Sequence, residues 1–296
     1  MSDIVELLRD RYGRPLVIPP GGGKPVAYTR CTTYVGVLED TYNLSKWMQR
    51  QVALGLSLRP DLIGMVHAKQ DDKNALNAVC QDAMEAAKAS AAANTGTAIH
   101  ALTEQVDTGG NLADLPADFR PDVEAYLRAT RHLAHEHIET FCVLDELKIG
   151  GTPDRISRCP DGRLRIVDLK TGSVDYGIGK IAMQLAVYAH SMLYDLETGE
   201  RREIDVDLEV GYVVHVPAGT GTSRLLEVDI AAGWEAVQVA TQVRAWRSRK
   251  GLAREIDLTD EQAQADGLPD DVDQLRRLWQ ERPDLRERIE AKVSAA

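Results

Sequence analysis

The segment IGGTPDRISRCPDGRLRIVDLK, residues 149–170, contains the strongest structural signal in the sequence. Its centre, Cys159-Pro160-Asp161-Gly162, has the composition of a type I turn followed by a glycine in the left-handed region. Such a three-residue loop is a common closure of a β-hairpin. We therefore predict two antiparallel strands, Ile149–Arg158 and Arg163–Lys170.

The predicted hairpin fixes which residues face each other. Cys159 lies opposite Arg163, and counting back along both strands places Asp154 opposite Asp168. Lys170 lies two residues beyond Asp168, so strand alternation puts it on the same face. The hairpin thus brings two carboxylates and one amine together.

Two carboxylates at facing positions have Cβ atoms about 4.5–5.5 Å apart and repel each other. Either one binds a proton or a cation lies between them, and oxygen ligands suit Mg²⁺ or Mn²⁺. The alternative is an exposed face with a structural Asp–Lys ion pair. Apolar Ile166, Val167 and Leu169 predict a central strand, where an unpaired Asp and Lys are costly. This context favours a functional site.

Two predicted helices carry further polar pairs with a spacing of four. His100 and Glu104 share one helical face, as do Gln184 and Tyr188. Each pair alone is weak evidence, because a single histidine is more often a packing residue than a ligand. Glu104 and Glu146 receive no firm role. Each is either a carboxylate that supports the site from behind or a surface residue in a salt bridge, and the second interpretation is favoured.

In chain order, the motifs are Gly-Thr-x-x-His, Gly-Thr-Pro-Asp, Val-Asp-Leu-Lys-Thr-Gly and Gln-x-x-x-Tyr, between Thr95 and Tyr188. This arrangement resembles the PD-(D/E)XK nuclease superfamily, specifically its RecB-like branch and the related exonucleases of bacteriophages. The resemblance implies an α/β, restriction-endonuclease-like fold with an αβββαβ core. A central mixed sheet flanked by helices would be joined by extra N-terminal helices and a C-terminal helical tail.

The resemblance also implies roles for individual residues in the hydrolysis of DNA. A Mg²⁺ or Mn²⁺ ion would be bound by His100, Asp154, Asp168 and the backbone carbonyl of Leu169. Lys170 would position the attacking water and stabilise the phosphate. Gln184 and Tyr188 would brace the site and contact the DNA strand.

One branch of this superfamily carries an iron–sulfur cluster held by closely spaced cysteines. Here the four cysteines, Cys31, Cys80, Cys142 and Cys159, are widely separated, and no C-x-x-C motif occurs. The spacing needed for a cluster or a zinc site is absent. We therefore expect no iron–sulfur cluster and interpret the cysteines as reduced residues of a cytosolic protein.

Composition is that of a globular enzyme, with 44% apolar residues in 296. No apolar run is long enough for a membrane helix, and the first residues lack a signal-peptide pattern. We expect a location in the cytoplasm, that of a bacterial host if a phage encodes the chain. The net charge of −11 opposes DNA binding. Two arginine-rich clusters, at residues 155–165 and 244–254, are interpreted as a local basic surface or as ordinary solvated helix and strand.

The predicted organisation has three parts. Residues 1–26 form an arm, residues 27–254 the nuclease domain, and residues 255–296 an acidic helical tail. Within the domain, residues 35–135 form a helical wall and residues 141–229 the catalytic sheet core.

Three helical segments are also predicted within these parts. A short helix spans Ile4–Tyr12, and Asn43–Leu54 forms an amphipathic helix that stops at Gly55. Asp72–Ala93 forms one long alanine-rich helical region.

The predicted function is metal-dependent exonuclease activity on linear ends or single strands of DNA, in phage DNA recombination, repair or end processing. The alternatives are a structure-selective endonuclease and a non-catalytic DNA-binding or assembly module on the same fold. The sequence leaves open the polarity, the strand preference, and whether a homo-oligomer or a recombination protein is the partner.

Overall fold

The computed structural model describes residues 6–253 and 267–295. The chain divides into two compact units, residues 1–247 and 248–296. Residues 1–5, part of the predicted helix over Ile4–Tyr12, and residues 254–266, which include Arg254 and much of the predicted acidic run, lie outside the described residues.

The first unit contains eight α-helices among the described residues. They are α1 (Cys31–Val35), α2 (Tyr42–Leu58), α3 (Pro60–Ala68), α4 (Lys73–Ala86), α5 (Ala91–Asp107), α6 (Arg120–Thr130), α7 (Ile178–Ala189) and α8 (Ile230–Arg247).

Twelve strands in the same unit form a two-stranded ribbon and two five-stranded sheets. They are β1 (Leu16–Val17), β2 (Val26–Ala27), β3 (Thr29–Arg30), β4 (Ala134–Ile138), β5 (Cys142–Leu144), β6 (Ile149–Gly151), β7 (Arg155–Arg158), β8 (Leu164–Lys170), β9 (Met192–Tyr194), β10 (Arg201–Arg202), β11 (Val210–His215) and β12 (Arg224–Asp229).

The central sheet has the order β12-β11-β8-β7-β4, with β8 and β11 parallel and the other pairs antiparallel. In chain order, α5, β4, β7, β8, α7 and β11 give the predicted αβββαβ core. The predicted α/β class with a mixed sheet flanked by helices is confirmed.

The hairpin of β7 and β8 has the predicted register. Arg158 pairs with Leu164 and Arg155 with Val167, so continuing the ladder sets Asp154 against Asp168. At the turn, the Cys159 N–H donates to the Arg163 carbonyl over 2.9 Å, and Gly162 adopts φ 82°. Only a glycine adopts that backbone conformation without strain.

The predicted strand over residues 149–158 is wrong in one respect, because it is two strands in different sheets. β6 belongs to the second sheet, of order β10-β9-β5-β6-β3, and β7 to the central one. Between them lies Pro153, which has no N–H to continue a ladder. The interruption leaves Asp154 in a bend at the start of β7.

Helices cover both faces of the central sheet. Ile166 of β8 packs with Leu185 of α7 in the larger core, whereas Val167 and Leu169 pack with Ile99 of α5 on the opposite face. Side chains along β8 alternate between these faces. Asp168 and Lys170 therefore share the face of Ile166.

The predicted helix near the N-terminus is wrong for the described residues 6–12. The Asp10 carboxylate accepts hydrogen bonds from the N–H groups of Tyr12 and Arg14, each over 2.9 Å. Such local side-chain bonds compete with helix formation.

The alanine-rich region forms two helices instead of the one predicted. α4 ends where Lys88 adopts φ 56° and the Ala89 N–H donates to the Met84 carbonyl over 3.0 Å. This is a left-handed C-cap of the Schellman type. The break allows α5 to start in a new direction.

The second unit, among its described residues, contains α9 (Val272–Glu281) and α10 (Arg286–Ala295), separated at Pro283. Leu268, Leu275 and Ile289 form its small core. Across the described ranges of both units, no helix combines the length and apolar character needed to span a membrane.

Gly55 does not end its helix, contrary to the prediction; α2 continues to Leu58. A Cβ at this position would lie 1.7 Å from the Ala83 carbonyl oxygen of α4. The two helices therefore meet at a point where only glycine fits.

We expect Gly55→Ala to destabilise the protein by about 1–3 kcal/mol, the usual effect of overpacking. The matched control is Gly64→Ala in α3, where a Cβ meets no atom within 4 Å and stabilisation by about 0.4–1 kcal/mol is expected. Urea denaturation followed by circular dichroism measures both changes. Equal midpoints for the two variants would contradict the close contact of α2 and α4.

Candidate active site

Asp154 is fixed to the strand that it faces. Its Oδ2 atom accepts a hydrogen bond of 2.6 Å from the backbone N–H of Leu169. The bend at the start of β7 turns the carboxylate towards β8, and the hairpin register sets its partner. The position of this carboxylate is therefore a direct consequence of strand pairing.

Asp168 is buried in the middle of the sheet, with 2% of its side chain exposed. Its Oδ1 atom accepts a hydrogen bond of 3.3 Å from Nε2 of Gln184, which lies on α7. Its Oδ2 atom lies 2.5 Å from Nζ of Lys170. That contact is an ion pair outside hydrogen-bond geometry, so Oδ2 is a buried oxygen without a hydrogen bond.

His100 approaches the carboxylates from α5. Its Nδ1 atom lies 3.5 Å from Oδ2 of Asp154. One turn earlier, a Cβ on Gly96 would lie 2.6 Å from Oγ1 of Thr171, which follows β8. The glycine lets α5 come close to the end of β8, and this contact helps to bring the histidine to the site.

The two carboxylates differ in their affinity for protons. Burial and the negative charge of Asp154 raise the pKa of Asp168 to about 6, against the opposing effect of Lys170. Burial also acts to raise the pKa of Asp154. There the His100 contact and the Leu169 N–H outweigh burial and hold the pKa below its usual range.

The imidazole of His100 responds to the same two acids. Burial acts to lower its pKa, but the neighbouring Asp154 and Asp168 outweigh that effect and raise the pKa above its usual value. Without a metal ion, His100 and Lys170 are the basic groups that lie against the two carboxylates.

A buried arginine joins α5 to β7 beside the site. Arg155 Nε lies 2.8 Å from Oδ2 of Asp107 and its Nη2 donates to Oγ1 of Thr103 over 3.2 Å. Its Nη1 also donates to the backbone carbonyl of Asp154 over 3.3 Å. Because Asp107 and Thr103 lie on the helix of His100, this network holds that helix against the strand that follows Asp154.

Tyr188 lies beneath the site rather than at its surface. Its side chain is 4% exposed, and burial raises its pKa well above the usual range. A Cβ on Gly151 would lie 3.0 Å from the Tyr188 hydroxyl, so this glycine leaves room for the ring. Gln184 donates a hydrogen bond to Asp168, whereas Tyr188, one turn later on the same helix, is buried within electrostatic reach of both carboxylates.

A cleft of about 600 Å³ opens beside the carboxylates. It is lined by Ala93, Gly96, Thr97, His100, Glu139, Asp154, Thr171 and Gly172. Lys170 and Asp168 do not line it, since Asp168 lies deeper in the sheet. The helix of His100 and the loop after β8 form its walls.

Glu139 is the residue of this cleft that the sequence interpretation missed. It has φ 47°, its N–H donates to the Asp154 carbonyl over 3.1 Å, and its Oε1 lies 3.8 Å from Nη1 of Arg155. Burial and Asp154 raise its pKa to about 7. Glu139 belongs to none of the sequence motifs. It reaches the cleft because its backbone adopts a left-handed conformation, which the sequence does not predict.

The two glutamates without an assigned role lie in different surroundings. Glu104 is half-buried on α5, and its negative charge contributes to the raised pKa of Glu139. Glu146 is exposed in the short turn after β5. Glu104 thus lies within electrostatic reach of the cleft.

The arginines at residues 155–165 are paired with acids. Arg158 and Arg163 are exposed, and Arg158 pairs with Glu136. Arg155 and Arg165 are buried, and Arg165 pairs with Asp207 over 3.0 Å. Arg163 also pairs with Asp207, over 3.2 Å. In the second cluster, Arg244 packs over the ring of Tyr34 at 4.4 Å, and Arg254 lies outside the described residues.

The oxygen atoms of the hairpin carboxylates are ligands of the type that a hard divalent cation prefers. The hairpin supplies two carboxylates, one of which has a buried oxygen without a hydrogen bond. Within the described residues, however, no three His, Cys, Asp or Glu side chains are already arranged as a ligand group. Lys170 lies against the Asp168 oxygen instead, so a cation and this amine compete for the same carboxylate.

The cysteines lie away from the cleft lining. Cys31, Cys142 and Cys159 are buried, Cys80 is half-buried, and all four are free thiols. Burial raises the pKa of Cys31 and of Cys142 to about 12. The thiols of Cys31 and Cys142 are therefore protonated at neutral pH and packed as apolar groups.

The family model of the PD-(D/E)XK nuclease superfamily matches residues 67–292, well over half of the chain. The matched region contains the hairpin, α5 and α7, which carry the residues described above. The chain therefore belongs to the PD-(D/E)XK nuclease superfamily. No curated protein is significantly similar to it.

The raised pKa of Asp168 predicts a pH-dependent stability without metal. Its pKa rises from an ordinary 3.8 to about 6 on folding, so the folded state binds the proton more tightly than the unfolded state. The contribution of this group is favourable at low pH and is lost as the pH rises through about 6.

In EDTA, we therefore expect Asp168→Asn to gain stability relative to the wild type between about pH 4 and pH 6. Urea midpoints measured across this range give the difference, in which titrating groups remote from the site cancel. Asp154 and His100 interact electrostatically with Asp168, so their pKa values respond to its charge and the difference reports the ionisation of this cluster. Asp161→Asn, in the exposed hairpin turn, is the matched control. If the stability difference between Asp168→Asn and the wild type did not change with pH, ionisation of Asp168 would not destabilise the folded protein.

Proposed function

We propose that this protein is a divalent-metal-dependent DNA exonuclease that hydrolyses phosphodiester bonds at DNA ends or in single strands. The carrying observation is that one hairpin holds Asp154 against the Leu169 N–H and Asp168 against Lys170, with His100 adjoining. Membership of the nuclease superfamily supports hydrolysis of a phosphodiester. The motif order before and after the hairpin supports the RecB-like exonuclease type.

In this proposal, Asp154, Asp168, the Leu169 carbonyl and His100 hold Mg²⁺ or Mn²⁺. When bound, the cation supplies Lewis-acid stabilisation of the phosphate charge. The raised pKa of Asp168 and its buried oxygen without a hydrogen bond support this assignment. Both features describe a carboxylate that lacks a full set of partners.

Lys170 has the role of orienting the attacking water and stabilising negative charge on the phosphate. Its amine lies at the Asp168 carboxylate, where a preorganised cation is most effective because the surroundings are buried. Gln184 orients Asp168 through its hydrogen bond. Tyr188, one turn later on α7, braces the site from beneath and completes the Gln-x-x-x-Tyr motif that contacts the DNA strand in this proposal.

The biological setting that we propose is end processing during recombination or repair of phage DNA in a bacterial cytoplasm. It rests on the similarity of the four motifs to those of bacteriophage exonucleases. A homo-oligomer or a recombination protein would be the partner.

The proposed activity is tested with end-labelled linear DNA and matched circular DNA, each with Mg²⁺, Mn²⁺ or EDTA. We expect mononucleotides or short products from linear DNA with metal, no cleavage in EDTA and intact circles. Asp154→Asn and Asp168→Asn should abolish cleavage, whereas the control Asp161→Asn should not.

Other outcomes of this experiment have distinct meanings. Cleavage of the circles would identify an endonuclease instead. DNA binding without cleavage under any condition would identify a non-catalytic module. Activity of Asp168→Asn within about tenfold of wild type, a barrier change of only about 1.4 kcal/mol, would contradict the site assignment.

Lys170→Ala should reduce the rate of cleavage by about 10²–10³-fold, the usual effect of losing one preorganised electrostatic donor. DNA affinity measured with Ca²⁺ should change much less, because the amine acts on the reacting phosphate. The control is Lys180→Ala, which removes a different amine on α7, one that pairs with Glu39. A loss confined to DNA affinity would make Lys170 a binding contact.

A further inference from the structure

The loop between β8 and α7, residues 171–177, connects Lys170 to the helix of Gln184. Its first residues line the cleft: Thr171 and Gly172 do so together with His100 and Asp154. The loop therefore runs from the reacting groups to the outer surface of the protein.

Several contacts fix this loop. The Thr171 carbonyl accepts a hydrogen bond of 3.1 Å from the Ala218 N–H, and the Gly172 carbonyl lies 2.9 Å from Nε2 of His215. Val174 is buried in the main core. The Gly177 N–H donates to the Val174 carbonyl over 3.1 Å and closes a turn. The tip of the loop thus has a defined position.

Tyr176 occupies that tip and is 101% exposed, the highest value among the large apolar side chains of the described residues. The next most exposed is Leu8, at 66%. Because the ring buries no surface, it adds nothing to the packing of the fold. A rigid aromatic ring on a fixed turn is instead the kind of group that binding surfaces use.

The backbone around Tyr176 is also open. A Cβ built on Gly172, Gly177 or Gly179 would meet no atom within 4 Å. Tyr176 lies four residues after Gly172, so its backbone is at most about 14 Å from the cleft wall. A nucleic-acid strand that enters the cleft can therefore pass next to the ring.

The state of the bases determines whether they can use this ring. In a duplex, the faces of the bases are covered by their neighbours, and only edges reach the grooves. Unpaired bases expose their faces and stack on aromatic side chains, each stack contributing about 1–3 kcal/mol. An exposed tyrosine beside the cleft therefore favours a strand that is not paired.

We propose that Tyr176 stacks on an unpaired base of the substrate strand next to the cleft, and that the protein selects DNA with unpaired nucleotides over blunt duplex. The inference rests on the proposed nuclease function and adds a strand preference to it. It assigns to Tyr176 a contact with substrate that is separate from the metal-binding and reacting groups.

The test measures binding of the full chain, with Ca²⁺ in place of Mg²⁺, to a short single strand that contains 2-aminopurine and to a blunt duplex of the same sequence. Tyr176→Ala should weaken binding of the single strand by about 5- to 150-fold and leave binding of the duplex nearly unchanged. Stacking quenches 2-aminopurine fluorescence, so the quench should be lost in Tyr176→Ala and kept in Tyr176→Phe.

The matched control is Tyr12→Ala, which removes another exposed tyrosine, one that contacts Arg11 and Arg14 instead. It should bind both DNA forms like the wild type. Circular dichroism of each variant verifies that the fold is intact.

The outcomes separate this inference from the proposed function. If the wild-type protein neither bound nor cleaved DNA, both the proposed function and the stacking contact would be contradicted. Wild-type protein that cleaves DNA while Tyr176→Ala binds the single strand normally would overturn the stacking contact alone. Equal losses for single strand and duplex, or a loss in Tyr176→Phe as large as in Tyr176→Ala, would also overturn it.

Discussion

The hydrogen bond of 2.6 Å between the Leu169 N–H and Oδ2 of Asp154 is the contact on which the site depends. It exists only if β7 and β8 pair in the register that their turn sets. A slip by one residue would turn every side chain of β8 to the opposite face. Asp168 and Lys170 would then face α5, and Val167 and Leu169 would lose their core.

Charge balance is the second constraint on the site. Asp154 and Asp168 repel each other, and in the metal-free protein His100 and Lys170 offset that repulsion. A buried charge without a partner is costly, so the contacts of His100 and Lys170 stabilise the two carboxylates in the metal-free protein. The Asp107–Arg155 pair has the related role of fixing α5, because a mobile helix would not keep His100 at Asp154.

The sequence predicts the hairpin well because Cys159-Pro160-Asp161-Gly162 specifies its turn locally, and counting from the turn gives the pairing of Asp154 with Asp168. It predicts the second sheet poorly, since Pro153 indicates an interruption of the strand but not that the chain passes into another sheet. Glu139 was missed because its left-handed backbone places it at the cleft. Both sequence interpretations of Arg155, as part of a basic surface or as an ordinary solvated residue, miss its burial, because that depends on Asp107, 48 residues earlier.

The ion pairs of the hairpin arginines bear on how this acidic protein could bind DNA. With Arg155 and Arg165 buried in ion pairs and Arg163 held by Asp207, the hairpin offers little free positive charge to phosphates. Non-specific affinity for nucleic acid comes mainly from phosphate contacts, so a protein with a net charge of −11 needs attraction of another kind. In the function proposed here, contacts at the cleft itself would supply it: a metal ion held by the carboxylates, and the aromatic face of Tyr176, which requires no charge. Such contacts would act only on a strand that has reached the proposed reacting groups, a restriction that is consistent with the proposed action on DNA ends.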